Sequence, residues 1–154
     1  MWRPAYATVV RVLITAVPFT SLAGAEVYAI CRLRQQVFVL EQACLYPDLD
    51  GRDLEPGTRH VLMATDDEEL IGYARVLDDE TVWRIGRVVL DRSARGRGLA
   101  DRLVATALKV ARGRDVVLDA QSPLAGWYAG FGFVVDGPEF VEDGIPHVPM
   151  RLRA

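Results

Sequence analysis

The stretch Asp91–Leu103, DRSARGRGLADRL, determines how the rest of the chain can be arranged. It follows the β-rich segment 82–90, VWRIGRVVL, and it opens an amphipathic run whose apolar residues have helical spacing. The first backbone N–H groups of a helix have no internal partner and lie at the positive end of its dipole. Gly96 and Gly98 remove the side chains that would keep a ligand away from this backbone. The order strand, glycine-rich turn and helix therefore predicts a site for a phosphate or a pyrophosphate.

Positive charge is concentrated around this turn. Segment 84–114 holds nine of the 18 lysines and arginines but only two of the 21 acids, although the whole chain has a formal net charge of -3. Arg95 and Arg97 are expected to add charge at the rim of the turn. A local basic site on an acidic protein suits one small polyanion, and the acidic balance argues against general binding to nucleic acids or membrane surfaces.

Working outward from the turn, the hydrophobic pattern predicts one α/β domain over residues 1–154, with residues 1–8 as a loose extension. Acidic turns separate three consecutive β-rich runs, which predicts a meander of antiparallel strands. Helices are expected from a cap at Thr20 or Ser21 to about residue 41, and over 98–112 and 122–130. Strands are expected at 10–17, 60–65, 70–77, 82–90, 115–120, 131–135 and 146–152, with the segment DGPEFVEDGI as a loop between the last two.

The two cysteines, Cys31 and Cys44, are thirteen positions apart and form no CxxC pair. We expect reduced, buried thiols in a cytoplasmic protein, with neither a disulfide framework nor a metal site. No apolar run approaches the ~18 residues of a membrane span.

Two other interpretations of the turn stay open at this point. The first is a solvated arginine-rich loop in which glycines only provide turns. The second is a dinucleotide site, because Gly96-x-Gly98 opens a helix and Asp119 follows about 20 residues later. Against that second interpretation, Asp101 occupies the position of the third glycine, and the preceding strands form a meander and not alternating βαβ units.

The C-terminal third favours a third interpretation. The turn has the pattern Arg-x-x-Gly-x-Gly/Ala at Arg95, Gly98 and Ala100, and Tyr128 precedes Gly132-Phe133 in WYAGFGF. With these motifs the chain resembles the GNAT N-acetyltransferases. The more specific resemblance, to the ElaA-like branch, rests on blocks in the same order: LRQQVFVLEQACLYPDLDGRD, IGRVVL, LDAQSPL and FVEDGIPHVPM.

This resemblance implies a mixed α+β fold whose twisted sheet has about six or seven mostly antiparallel strands, with helices on both faces. Acetyl-CoA would lie where two parallel strands splay apart. Its pantetheine arm would pair with the backbone of Val88, Val89 and Leu90, and the Leu90 N–H would donate to the thioester oxygen. The resemblance places the pyrophosphate against the main chain of Arg95, Gly96, Arg97, Gly98, Leu99 and Ala100.

The resemblance also assigns roles in the chemistry. Tyr128 is the expected general acid for the departing thiolate, and Gln121 is expected to bind the pantetheine amide. The acceptor is an amine, whether a small molecule, a peptide N-terminus or a lysine side chain. The group that removes the proton of the amine is left open: a water relay could serve, or one of the side chains Glu41, Asp50, Glu142 and His147. A structural role also suits His147, as it does His60.

Two further points are unresolved by the sequence. The long loop 44–58 could form an acidic rim that attracts a cationic amine, or its acids could serve solubility alone. The acids concerned are Asp48, Asp50, Asp53 and Glu55, together with Glu142 and Asp143. The same scaffold could also serve as an acyl-CoA-binding or sensing module without turnover.

Overall fold

The computed structural model describes residues 11–154. The expectation of a loose extension at residues 1–8 lies outside this range. The described residues form eight strands, at β1 Val12–Val17, β2 Arg59–Thr65, β3 Leu70–Asp79, β4 Val82–Leu90, β5 Val116–Gln121, β6 Val134–Val135, β7 Phe140–Glu142 and β8 Ile145–Leu152. The helices are α1 Gly24–Arg34, which continues as a π-helix over Gln35–Glu41, α2 Leu99–Val110 and α3 Ala125–Ala129. Short 3₁₀ turns lie at Phe19–Ser21, Arg52–Leu54, Arg92–Ala94 and Ser122–Leu124.

The strands form one sheet in the order β1-β2-β3-β4-β5-β8-β6, with β7 paired to β8. Within the described residues, β4 and β5 are the only parallel neighbours, joined through α2, and all other pairs are antiparallel. This arrangement confirms the mixed, mostly antiparallel sheet. It also excludes the doubly wound parallel sheet that a dinucleotide fold requires.

Helices cover both faces of the sheet, as expected. On one face α2 and α3 pack Leu103, Val104 and Tyr128 against Ile85 and Leu118. On the opposite face α1 and its π-helical extension pack against Leu62, Tyr73 and Val89 through Ile30, Leu33 and Val37.

Strand β4 carries a bulge that re-aims its second half. Tyr73 of β3 pairs with Val89, but Arg75 pairs with Gly86, so β4 has one residue more than β3 in this interval. Arg87, inside the bulge, has a positive φ of 53°. A glycine inside a strand, here Gly86, is a known sign of a bulge, and it is the signal that sequence analysis did not use.

The parallel pair separates soon after it forms. Pairing between β4 and β5 is limited to Trp83 with Val116 and Arg84 with Val117. Beyond these residues the strands diverge toward Leu90 and Gln121. The result is a gap at one end of the sheet, which corresponds to the splayed parallel pair that the family resemblance implied.

Some sequence expectations about elements need correction. Within residues 11–154 the sheet has eight strands where six or seven were expected, and the strand expected at 131–135 is reduced to Val134–Val135. The segment predicted as a loop, DGPEFVEDGI, contains β7, which pairs with β8 across a turn at Asp143 and Gly144 with φ of 50° and 76°. The first helix is not capped by Thr20 or Ser21, which lie in a 3₁₀ turn. It begins at Gly24, where the Glu26 carboxylate accepts a hydrogen bond of 2.9 Å from the Ala23 N–H.

None of the helices formed by residues 11–154 combines the length and apolar character that crossing a bilayer requires.

Candidate functional site

The glycine turn leaves open space in front of α2. Gly98 is the N-cap of this twelve-residue helix and has φ of 72°, and Gly96 has φ of 76°. Both values lie in the left-handed region that side chains other than glycine rarely adopt. A Cβ placed on either residue would have no heavy atom within 4 Å, so the approach to the helix N-terminus is unobstructed. Leu99 is buried in the core and Ala100 half-buried, so both can contribute only backbone here.

The two arginines of the turn are placed differently. Arg97 is exposed, as expected for a residue at the rim. Arg95 instead turns toward the end of the π-helix, where its Nη1 and Nη2 donate to the two carboxylate oxygens of Glu41 at 2.6 and 2.7 Å. Its Nη2 and Nε also donate to the Leu90 carbonyl at 3.1 and 3.3 Å. The Arg95 hydrogen bonds hold the pKa of Glu41 below its ordinary value.

The backbone of Leu90 faces the gap. Asp91 donates its N–H to the Ile71 carbonyl at 2.8 Å, and Leu90 lies opposite Gly72. Because backbone groups alternate in direction along a strand, the N–H and C=O of Leu90 point away from β3. By the same alternation Val88 also faces the gap, whereas the backbone of Val89 points to β3 and its side chain is buried beneath α1.

Tyr128 lies in the core on the α2 face of the sheet. Its side chain is only 6% exposed and packs edge-to-face on Phe133, with ring centroids 6.0 Å apart. Burial raises the pKa of its phenol to about 12. The neighbouring Trp127 donates its indole N–H to Asp101 at 2.7 Å, which fastens α3 to the first turn of α2 beside the glycine turn.

The end of the π-helix spans the gap on the opposite face. Glu41 reaches toward β4 through Arg95. The next residue, Gln42, accepts a hydrogen bond from the Gln121 amide of β5 at 3.3 Å. This hydrogen bond places the Gln121 side chain at the gap, with another glutamine as its partner. The π-helical segment Gln35–Glu41 ends at the gap, and π segments are frequent at functional sites.

The acids of loop 44–58 do not form a free rim. Arg34, only 1% exposed, is bound by Asp48 at 2.8 Å and by Asp53 at 2.6 Å. Arg75 binds Asp50 through two contacts of 2.8 Å, and Arg87 lies 2.8 Å from Asp48. These ion pairs hold the loop against the sheet. The expectations of a cation-attracting rim and of a role in solubility alone are therefore both wrong for Asp48, Asp50 and Asp53. Glu55 forms an ion pair with Arg52.

Three of the candidate bases fit poorly. The hydrogen bonds from Arg75 hold the pKa of Asp50 far below its ordinary value, so this carboxylate is a poor proton acceptor. His147 has its Nδ1 2.7 Å from the Ile145 carbonyl and stacks on Phe140, as expected for a structural role. Glu142 lies exposed on the β7 hairpin. Of the four, Glu41 is the one tied to the gap.

His60 is also structural, as expected. Its Nδ1 lies 2.7 Å from the Tyr73 hydroxyl and its Nε2 2.9 Å from the Asp53 carbonyl. Burial lowers the pKa of its imidazole, which favours the neutral ring.

Both cysteines are free thiols, as expected. Cys31 is half-buried, whereas Cys44 is buried and donates to the Asp143 carbonyl at 3.3 Å, joining loop 44–58 to the β7–β8 turn. No group of three or more histidine, cysteine or acidic residues within 11–154 is arranged to hold a metal ion.

These features together define the GNAT class of acyltransferase folds: a mostly antiparallel sheet with one splayed parallel pair, a bulge in β4, and an open glycine turn at the start of α2. This fold implies binding of an acyl-CoA. The acetyltransferase (GNAT) domain family matches residues 33–154, and the chain belongs to this family. The sequence resemblance and the expected fold class are therefore confirmed.

Known proteins similar to this chain point to the ElaA-like branch of the family. A UPF0039 protein of Mycobacterium tuberculosis is 48% identical over 127 residues, which cover 80% of this chain and 81% of the relative. Protein ElaA of Escherichia coli is 38% identical over 138 residues, covering 85% and 90%. The crystal structure of Escherichia coli ElaA superposes with a TM-score of 0.86 at 35% identity over 92% of this chain and 99% of that one. An acyl-CoA N-acyltransferase from Pseudomonas aeruginosa gives 0.87 at 38% identity over 94% and 100%.

Proposed function

We propose that this chain is an N-acetyltransferase that moves the acetyl group of acetyl-CoA directly to an amine. The observation that carries the proposal is the gap between β4 and β5, which opens after Arg84 and Val117 and ends at the glycine turn. A thin, extended pantetheine arm fits between separated strands because it can pair with the exposed edge of β4. The pyrophosphate then reaches the free N–H groups at the start of α2.

In this arrangement Val88 and Leu90 present backbone groups to the donor, and the Leu90 N–H polarises the thioester carbonyl. The pyrophosphate contacts backbone N–H groups between Arg95 and Ala100. Gly98 is required there because its left-handed φ and its missing side chain leave the helix mouth both shaped and open. Gln121 turns from Gln42 to the pantetheine amide.

Tyr128 acts on the leaving group. With a pKa of about 12 the phenol stays protonated at every physiological pH, so it is always able to donate. A complete transfer to a free thiolate of conjugate pKa ~8.5 would be uphill by roughly 5 kcal/mol. The phenol therefore acts mainly by a hydrogen bond that strengthens as negative charge grows on sulfur, and burial of that sulfur reduces the mismatch.

Transfer is direct, without an acyl-enzyme. Cys44 is buried and its thiol is engaged with the Asp143 carbonyl. Cys31 lies on α1, which covers the sheet on the face away from Tyr128. Neither thiol has a neighbouring histidine among its hydrogen-bond partners in residues 11–154, so neither has the activation that a nucleophilic cysteine needs.

One specific observation favours a second function, an acyl-CoA-binding module without turnover: the raised pKa of Tyr128 makes it a weak acid. A thiol-release assay separates the two. The protein and acetyl-CoA are incubated with one amine at a time. The amines are spermidine, L-glutamate, lysine amide and a short peptide with a free N-terminus. We expect amine-dependent release of CoA thiol with at least one of them. Calorimetric binding of CoA without thiol release from any amine would establish the sensing function instead.

A further inference from the structure

We propose that Glu41 is the group that accepts the proton of the attacking amine, and that Arg95 restrains it until the pyrophosphate of the donor draws the guanidinium away. This inference rests on the proposed function, and it names the base that the sequence left open.

The distances bring Glu41 to the reaction site. A single nitrogen, Arg95 Nη2, donates to the Glu41 Oε2 at 2.7 Å and to the Leu90 carbonyl at 3.1 Å. The carboxylate is therefore separated from the backbone of Leu90 only by one guanidinium group.

Glu41 and Tyr128 lie on opposite faces of the sheet. Tyr128 belongs to the core beneath α2, whereas the π-helix that ends at Glu41 packs against the other face. Gln42 and Gln121 join the two sides of the gap on the Glu41 face. An amine that enters from this face has the base beside it, while the thiolate leaves toward the phenol on the opposite face.

The donor and Glu41 compete for the same groups of Arg95. All three guanidinium nitrogens donate to Glu41 or to the Leu90 carbonyl. A pantetheine amide that pairs with β4 needs that carbonyl, and a pyrophosphate at the helix mouth attracts the guanidinium. Binding of the donor at both places therefore releases the carboxylate.

Release also changes the affinity of Glu41 for a proton. The charged groups that act on it are Arg95 and Arg92, which lower its pKa, and Asp91, which raises it. Arg95 has the largest effect through its hydrogen bonds. After Arg95 leaves, the pKa of the carboxylate rises toward its ordinary value, and Glu41 becomes a stronger base only when the donor is bound.

The proton and electron balance is simple. The amine nitrogen attacks the thioester carbon and forms the N–C bond, and its proton passes to Glu41 directly or through one water. The C–S bond then breaks, and the thiolate receives its hydrogen bond or proton from Tyr128. Exchange with solvent removes the proton from Glu41 and restores that of Tyr128.

The test compares Glu41→Gln with Glu142→Gln, which removes a carboxylate from the exposed β7 hairpin. With acetyl-CoA and the fastest amine of the panel, we expect Glu41→Gln to lower kcat at least ~100-fold, the usual range for losing a general base. Glu142→Gln should stay within about twofold of the parent. When kcat of the parent is measured against pH, it should fall at acidic pH as Glu41 becomes protonated. Glu41→Gln should not show this fall. A kcat for Glu41→Gln within threefold of the parent would refute the proposal.

Chemical rescue separates catalysis from positioning. Glu41→Ala leaves room for a small carboxylate, so added formate should restore its kcat at least about tenfold and should bring its CoA affinity back toward that of the parent. Failure of formate to raise kcat, with the variant folded and binding CoA, would assign Glu41 a structural role.

A calorimetric cycle tests the exchange independently of turnover. Glu41→Gln should bind CoA three- to tenfold more tightly than the parent, because Arg95 is then free for the phosphates. In an Arg95→Gln background the same change should have no effect. If the parent releases no thiol with any amine, the proposed function fails and this cycle still decides the exchange. A tightening that persists without Arg95, or that is absent with it, would overturn the exchange.

Discussion

At the scale of single residues, the chemistry depends on where burial and charge place a few titratable groups. Tyr128 is enclosed by apolar neighbours that raise its pKa, and Glu41 is held by a guanidinium that lowers its pKa. The two groups thus respond in opposite directions to their surroundings. The proposed acyl transfer to an amine needs a protonated phenol and an ionised carboxylate, and the two groups lie on opposite faces of the sheet.

Tyr128→Phe tests the first of these groups. The change removes one hydroxyl from a ring whose packing against Phe133 stays possible, so the fold should persist. We expect kcat to fall ~100-fold or more because the thiolate loses its donor, while calorimetry gives a CoA dissociation constant within about twofold of the parent. An unchanged kcat would show that another group, or water, serves the leaving thiolate.

At this scale sequence reasoning was strongest where a motif determines the backbone. Gly96 and Gly98 lie at the start of α2 with open space around them, as expected from their order after a strand, and both have a positive φ. It was weakest for side chains whose partners are distant in sequence. Arg95 was expected at the rim of the turn, but Glu41, 54 positions away, holds it. No local pattern encodes that pair.

At the scale of elements, loop 44–58 owes its position to buried ion pairs rather than to apolar packing. Its leucines, such as Leu45 and Leu49, are exposed, whereas Arg34 beneath it is almost completely buried. The sequence indicated a long acidic loop, but not that its acids form ion pairs with buried arginines and hold the loop against the sheet. The arginines that hold it lie on α1, β3 and β4, and only the folded sheet brings them together.

Asp48→Ala tests this fastening. The variant leaves Arg34 buried with only part of its compensation, and it also removes the acceptor of the Tyr46 hydroxyl at 2.7 Å. Removing one partner of a buried pair typically costs about 3 kcal/mol or more. Asp136→Ala, which breaks an exposed pair with Arg151, should cost less than about 1 kcal/mol. Urea unfolding of the two variants measures the difference, and equal losses would contradict the account.

The same acids predict how stability depends on pH. Burial alone would raise the pKa of Asp53, but the hydrogen bonds and charges of Arg34 and Arg75 hold it below the ordinary value. A carboxylate with a depressed pKa in the folded state stabilises the protein above its unfolded pKa of ~3.9 and loses that contribution as the pH falls. We expect the free energy of unfolding to be maintained near pH 5 and to fall steeply below about pH 4. Denaturant titrations at several pH values measure this, and no loss down to pH 3 would argue against the pairs.

At the scale of the whole molecule, the order of elements followed from local hydrophobic periods. The range of β4 matches expectation, and the ranges of β2 and β3 differ from it by one and two residues. Strand β7 was missed because its three residues, beside a turn, are too few to show the alternation of apolar and polar residues that marks a strand. The bulge at Arg87 was missed because it depends on register between β3 and β4. The bulge re-aims the half of β4 that borders the gap, so the form of the gap depends on a register that no local pattern carries.

The central claim is that the open backbone at the mouth of α2 binds the pyrophosphate of CoA. Calorimetric titration of CoA into Gly98→Glu tests it most directly, with Gly113→Glu as the matched control. Both glycines have positive φ, 72° and 83°, and open space around a Cβ, but Gly113 lies past the other end of α2. We predict that Gly113→Glu binds CoA like the parent, whereas Gly98→Glu, equally folded, loses at least ~100-fold in affinity because a carboxylate fills the anion site. Binding of CoA by Gly98→Glu with the affinity of the control would contradict the account.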